Sequence, residues 1–162
     1  LNFPREALLI SSFFQLLLNF SFKFLALLVL LIVLGLPFNG KMLLFIPAIF
    51  AVIFFGISIG VLIIPFQMLY TDFSRAISLF MQVMMYLTPV VYPYPTEGFL
   101  LSIVKINPFT PLVIVPRNLL TGQDAMMTGY FFGVIGAGLF ILFFGWILYR
   151  ITMPIIIERA GS

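Results

Sequence analysis

Ser11, Gln15, Asn19 and Lys23 recur every four residues within SSFFQLLLNFSFK, so on a helix they form one polar stripe among Phe and Leu. Two kinds of chemistry suit such a stripe. One is a watery path for a polar solute, because ionisable side chains inside apolar helices usually face a bundle interior or a water-filled cavity. The other is hydrogen bonding between packed helices, with Lys23 stretching its ammonium toward an interface. The remaining chemistry-bearing residues exclude more than they suggest. The five acids, Glu6, Asp72, Glu97, Asp124 and Glu158, lie far apart, and the chain has no His and no Cys. A carboxylate pair, a His-based triad, a thiolate nucleophile and the usual zinc ligands therefore lack raw material. No Gly-rich loop carries the Lys and Ser/Thr that cradle phosphates, so ATP hydrolysis would belong to another polypeptide. The expectation is a chain that is not an enzyme, with no catalytic residue, no metal site and no cofactor of its own.

The elements that would carry the stripe are membrane helices. The sequence is 63% hydrophobic and 8% charged, against about 25% charged in ordinary soluble domains. Uncharged stretches cover residues 24–40, 42–71, 76–96 and 125–149, and several reach the roughly 20 residues that cross a bilayer as helix. They lack the alternation of a membrane barrel. The net charge of +3 is scattered along the chain and does not suggest nucleic acid; the bilayer is the expected partner.

Four spans are expected, at about residues 7–34, 42–70, 76–91 and 127–149. Pro4 suits the first helical position and Glu6 the positive end of that helix. GLPFNGK, residues 35–41, is dense in helix breakers and reads as a turn, and YTDFSR, residues 70–75, is the most polar central interval. Tyr70, Asp72 and Arg75 in that interval either contact a partner or anchor and cap the adjacent helices. Between the third and fourth spans lie Pro93, Pro95, Pro108, Pro111 and Pro116. They leave apolar pieces of about 8 and 12 residues, roughly 12 and 18 Å as helix, where a crossing needs about 30 Å. Such backbone is tolerated at membrane depth only when buried in protein or lining a cavity, so a re-entrant or interfacial helical hairpin is expected there. Gly56 with Gly60, and Gly129 with Gly133 and Ala137, form ridges of small residues suited to helix packing, within the bundle or between protomers. Four spans leave Arg5, Arg75, Arg150 and Arg159 on one side and Lys41, Lys105 and Arg117 on the other, which favours both ends in the cytoplasm.

Three stretches in order, NFPREALL at the start, YTDFSRAISLFMQVMMYLTPVVYP in the middle and KINPFTPLVIVPRNLLTG after it, resemble the type 2 ABC exporter permeases that move polysaccharides out of bacteria, including O-antigen, capsule and teichoic-acid exporters. The resemblance implies an all-helical polytopic protein of the bacterial inner membrane, a single permease domain over residues 1–162. It also implies a second copy, an ATPase subunit that binds ATP and Mg, and a lipid-linked polysaccharide as substrate. By the same resemblance Phe3, Pro4, Arg5 and Glu6 fall in the region that couples to the ATPase, and the loop containing Asp72 is cytoplasmic, with Tyr70 and Arg75 beside it. Thr71 stands where the family often has Arg before the Asp. The external gate would lie between Tyr92 and Asp124, with Asn107 and Pro108 at its joint, flanked by Pro89, Pro93, Pro95, Pro111 and Arg117.

Family permeases usually have six spans after an amphipathic helix. The sequence begins at Leu1, so the resemblance makes it the C-terminal portion of a permease, with the first two spans missing. Export of a drug or small lipid is the alternative within transport. An ion channel or secondary carrier would place several ionisable groups inside its spans, where only Lys23 stands clearly.

Overall fold

The computed structural model describes residues 5–35, 39–70 and 72–160, with side chains over 10–35, 39–70 and 72–154. All regular structure among them is helical: α1 (Arg5–Val33), α2 (Lys41–Leu69), α3 (Phe73–Leu87), α4 (Phe99–Ile106), α5 (Phe109–Leu120) and α6 (Thr128–Ala160). α1, α2 and α6 each contain a segment long and apolar enough to cross a membrane. The chain divides into two compact units, residues 1–38 and residues 39–162. The first contains α1, whose spanning segment is almost wholly exposed, 6% of it being buried.

Prolines set the helix ends in the second unit. α3 stops at Leu87 because Thr88 precedes Pro89 and takes an extended backbone, φ −105 and ψ 139. In place of the expected span over 76–91 stands a helix of 15 residues, about 22 Å, which falls short of the length of the three candidate spans. α4 begins after Gly98, whose φ of 85 is open to Gly and strained for other residues, and it ends at Asn107, extended before Pro108. α5 follows with Pro111 in its first turn, where no backbone donor is needed. The two short helices match the apolar pieces expected between the prolines. Their axes are bent by 92°, an elbow rather than two antiparallel arms folded back on each other. α6 runs well past the expected end at Tyr149 and passes through Pro154; an exposed Arg150 does not stop it, since a long basic side chain can lie along an apolar helix.

α2 and α6 form the frame. Three close approaches share the offset of 83 positions that separates Lys41 from Asp124: Asn39 with Gly122, Phe55 with Gly138, and Leu62 with Gly145. A constant offset means that the two helices run parallel and start at the same end. The buried residues of α6, Phe131, Val134, Gly138, Gly145, Tyr149 and Met153, repeat at threes, fours and sevens, as do Phe45, Ala48, Phe55 and Ser58 on α2. This spacing is that of two helices packed side by side along their length. The small-residue ridges read from the sequence lie elsewhere: a Cβ at Gly56, Gly60, Gly129 or Gly133 meets nothing within 4 Å, whereas one at Gly145 would stand 2.9 Å from the backbone N of Leu62.

Because α2 and α6 are parallel, the chain must travel back from the end of α2 to the start of α6. Two helices share the return. α3 lies antiparallel to α2, stacking Phe73 on Phe66 at 5.5 Å near the end of α2, while Thr88 lines a cavity with Val52. α5 completes the climb: Phe109 meets Phe55 edge-on at 6.4 Å, and Val115 and Leu119 share a cavity with Leu44, Ala48 and Ala51. The 29 residues of α2 are about 43 Å long, the thickness of a bilayer with its headgroups. Phe55 is the middle residue of α2, so the joint between α4 and α5, where Phe109 meets it, lies level with the middle of that helix. An ion pair marks each end, Lys41 with Asp124 at one and Asp72 with Arg75 at the other, and the shared offset sets Arg150 level with Gln67 near the second.

Candidate functional site

The polar residues converge on the joint of the elbow. Asn107 is buried between α4 and α5, where its Oδ1 accepts the Phe109 backbone N–H at 2.9 Å and caps α5. Its Nδ2 donates to Thr88 Oγ1 at 3.0 Å and to the Leu87 carbonyl at 3.3 Å. One amide thus starts α5 and holds the end of α3. Arg117, two turns further along α5, donates from its guanidinium to the carbonyls of Pro89 at 2.5 Å, Val90 at 2.8 Å and Tyr92 at 3.5 Å. Those carbonyls have lost helical partners because α3 has ended, and the planar fork of Arg reaches several of them at once. From α6, Tyr130 donates its hydroxyl to the Ile106 carbonyl at 2.7 Å, closing the end of α4.

The joint is packed as well as bonded. Pro89, Val104, Thr110 and Pro111 are fully buried, as is Thr88 to within 2%. Pro93 and Pro108 are exposed, and Pro95 is half-buried. Two hydroxyls nearby, Tyr92 Oη and Thr110 Oγ1, are buried without a hydrogen-bond partner. Between the joint, α2 and α3 lies an apolar cavity of about 310 Å³ walled by Phe55, Gly56, Met81, Met84, Met85 and Phe109.

The other sequence-derived sites stand apart from the joint. Gln15, Asn19 and Lys23 lie with Ser12, Leu16 and Phe20 along a groove of about 440 Å³ on α1, so Ser12 rather than Ser11 completes its wall. Lys23 is exposed there and has no ion-pair partner among the described residues. Phe3 and Pro4 lie outside the described residues, and Arg5 and Glu6 are described only as the first backbone positions of α1. Tyr70, Asp72 and Arg75 gather at the far end of α2, where Asp72 and Arg75 pair at 3.7 Å, both nearly fully exposed. Lys41 and Asp124 pair at 2.7 Å at the opposite end. The Asp124 carboxyl is held below its ordinary pKa by the hydrogen bond from Lys41, then by that ammonium's charge, against desolvation.

Two features escaped the sequence reading. Thr88 is the buried acceptor that ties the elbow to α3, and its only signal was its place before Pro89. Ser74, Ser78 and Gln82, spaced by four beside Arg75, form a second exposed polar stripe along α3 and wall a groove of about 530 Å³. The rule that exposed the stripe on α1 would have found it.

Residues 2–120 match the family model described as ABC-2 type transporter, which spans α1 to α5 and with them the whole joint. No curated protein and no solved structure gives a significant match.

Proposed function

Because the chain belongs to the ABC-2 type transporter family, a family of membrane components that pair with an ATP-binding subunit, we propose that it serves a bacterial exporter of lipid-linked polysaccharide. In this reading residues 1–162 are a single transmembrane domain of the inner membrane. Two copies work with two ATPase subunits, which bind the ATP and Mg. Both ends of the chain face the cytoplasm, so the end marked by Lys41 and Asp124 faces outward and the end marked by Asp72 and Arg75 meets the ATPase. Phe3, Pro4, Arg5, Glu6 and Tyr70 share that coupling role. The elbow with Pro89, Tyr92, Pro93, Pro95, Asn107, Pro108, Pro111 and Arg117 is the external gate.

The observation that carries this reading is the joint of the elbow, halfway along α2. Short helices broken by proline cannot span, and at membrane depth their irregular backbone needs protein or a water-filled cavity around it. Asn107 and Arg117 supply the polar partners that let it persist there. Ser11, Gln15, Asn19 and Lys23 offer hydroxyl, amide and ammonium groups suited to the hydroxyls of a sugar chain.

The experiment is reconstitution of the full permease with its ATPase in vesicles. ATP hydrolysis should rise with lipid-linked polysaccharide, and labelled glycan should cross the bilayer only with ATP. The second reading, export of a drug or small lipid, draws on the Met-lined cavity against α2, since Met side chains adapt to varied apolar molecules. Stimulation by small apolar compounds, with no response to the glycolipid, would replace the first reading with the second.

A further inference from the structure

α3 is the least embedded helix of the second unit, with none of its residues buried from Phe73 to Leu87. It is nevertheless tied at its C-terminal end. Asn107 reaches across to the Leu87 carbonyl and the Thr88 hydroxyl, and Arg117 holds three acceptors beyond them, at Pro89, Val90 and Tyr92. Both donors belong to the elbow, and all the acceptors lie at or just beyond the end of α3. No carboxylate pairs with Arg117 among the described residues; its charge is met by backbone carbonyl dipoles. Charge-assisted bonds to aligned carbonyls are directional, so they hold an orientation and not merely a distance.

We infer that Asn107 and Arg117 are positioning residues that weld the C-terminal end of α3 to the elbow, which α5 buries against α2 and α6, so that α3 tilts about that held end. α3 is free to tilt because its length carries no buried residue, and α2 with α6 supplies a fixed frame, with Gly138 and Gly145 of α6 seated against Phe55 and Leu62 of α2. The linkage begins beside Asp72 and Arg75, runs about 22 Å along α3, and ends in the hydrogen bonds of two side chains. The weld follows from those bonds alone. Its use, carrying a push from an ATPase to a gate, rests on the proposed function, and the test below reads the weld without transport.

The chain has no Cys, so spin-label pairs can be introduced by substitution. One pair, Leu79→Cys with Phe99→Cys, spans from α3 to the elbow; a second, Phe50→Cys with Phe143→Cys, reports the α2–α6 frame. All four native side chains are exposed. Pulsed electron spin resonance on the full chain in nanodiscs, the labelled chain diluted with unlabelled chain so that each assembly carries one pair, should give one narrow distance distribution for each pair. In Arg117→Gln, and again in Asn107→Ala, the pair from α3 to the elbow should broaden or split while the frame pair stays narrow. Arg117→Lys, which keeps the charge but loses the fork, should broaden less than Arg117→Gln. An unchanged distribution between α3 and the elbow in both removals overturns the weld. Equal broadening of both pairs also overturns it, because Arg117 and Asn107 would then support the fold generally. Export assays on the same variants are independent: loss of the narrow distribution with export intact sustains the weld and removes its role in gating.

Discussion

The α2–α6 seam and the joint between α3 and the elbow are solutions to the same problem, holding helices together where lipid gives little hydrophobic reward for doing so. The seam uses shape. Gly138 and Gly145 let α6 approach α2 until an added Cβ would lie 2.9 Å from Phe55 or Leu62 atoms. The joint uses polarity, with a buried amide and a guanidinium meeting backbone carbonyls that proline has left unpaired. Close packing resists displacement over a whole length, whereas a few directional bonds fix one point and leave the rest of α3 free. The difference separates a frame from a lever within one compact unit.

The largest break should come from the seam. Gly145→Leu places a branched side chain against the Leu62 backbone, and we expect the folded chain to be lost from detergent extracts on size-exclusion chromatography. Gly145→Ala should fold with a lower thermal midpoint, at a cost of about 1–3 kcal/mol from overpacking, offset in part by the helix preference of Ala, worth up to about 1 kcal/mol. Asn107→Ala comes next. It strands the Leu87 carbonyl and the Phe109 N–H, at about 1–3 kcal/mol for each buried group left unsatisfied, and thermal unfolding should register that loss. Gly133→Ala, on the same helix as Gly145 but with nothing within 4 Å of its added Cβ, should be neutral or stabilising by up to about 1 kcal/mol. If Gly133→Ala destabilised as much as Gly145→Ala, the seam would be wrongly placed.

The smallest effect belongs to Lys41 and Asp124. The folded Asp124 pKa is depressed, so its contribution is present above the unfolded carboxylate pKa and disappears as pH falls through the folded value. Lys41→Gln should therefore leave the thermal midpoint nearly unchanged from pH 6 to 8, and any difference from the native chain should begin to shrink below about pH 4 and go on shrinking as Asp124 takes up its proton in the fold. The pair is exposed, which keeps the effect small.

Much of this was legible in the sequence. Long apolar runs and breaker clusters gave the helical class and the first two spans nearly to the residue, and the prolines gave two short helices of the right length. The end of α3 was misplaced because Val90 and Val91 continue the apolar pattern, while Pro89 bars Thr88 from helix. The glycines of the α2–α6 seam were missed for a different reason. Spacing by four marks Gly56, Gly60, Gly129 and Gly133 as a face but does not say which face meets a neighbour, and the seam instead uses Gly138 and Gly145, seven apart. Asn107 and Arg117 were visible as part of a family pattern, but their bonds join residues 19 to 28 positions away, beyond any local periodicity.

The most direct measurement compares two distances in the assembled complex of permease and ATPase, with and without bound ATP. The label pair at Phe50 and Phe143 follows the α2–α6 frame, and a pair at Phe50 and Leu79 follows α3 against that frame. The account predicts one distance between Phe50 and Phe143 in both states, and a shift between Phe50 and Leu79 that is abolished when ATP cannot bind. A moving frame with a stationary α3 would contradict it.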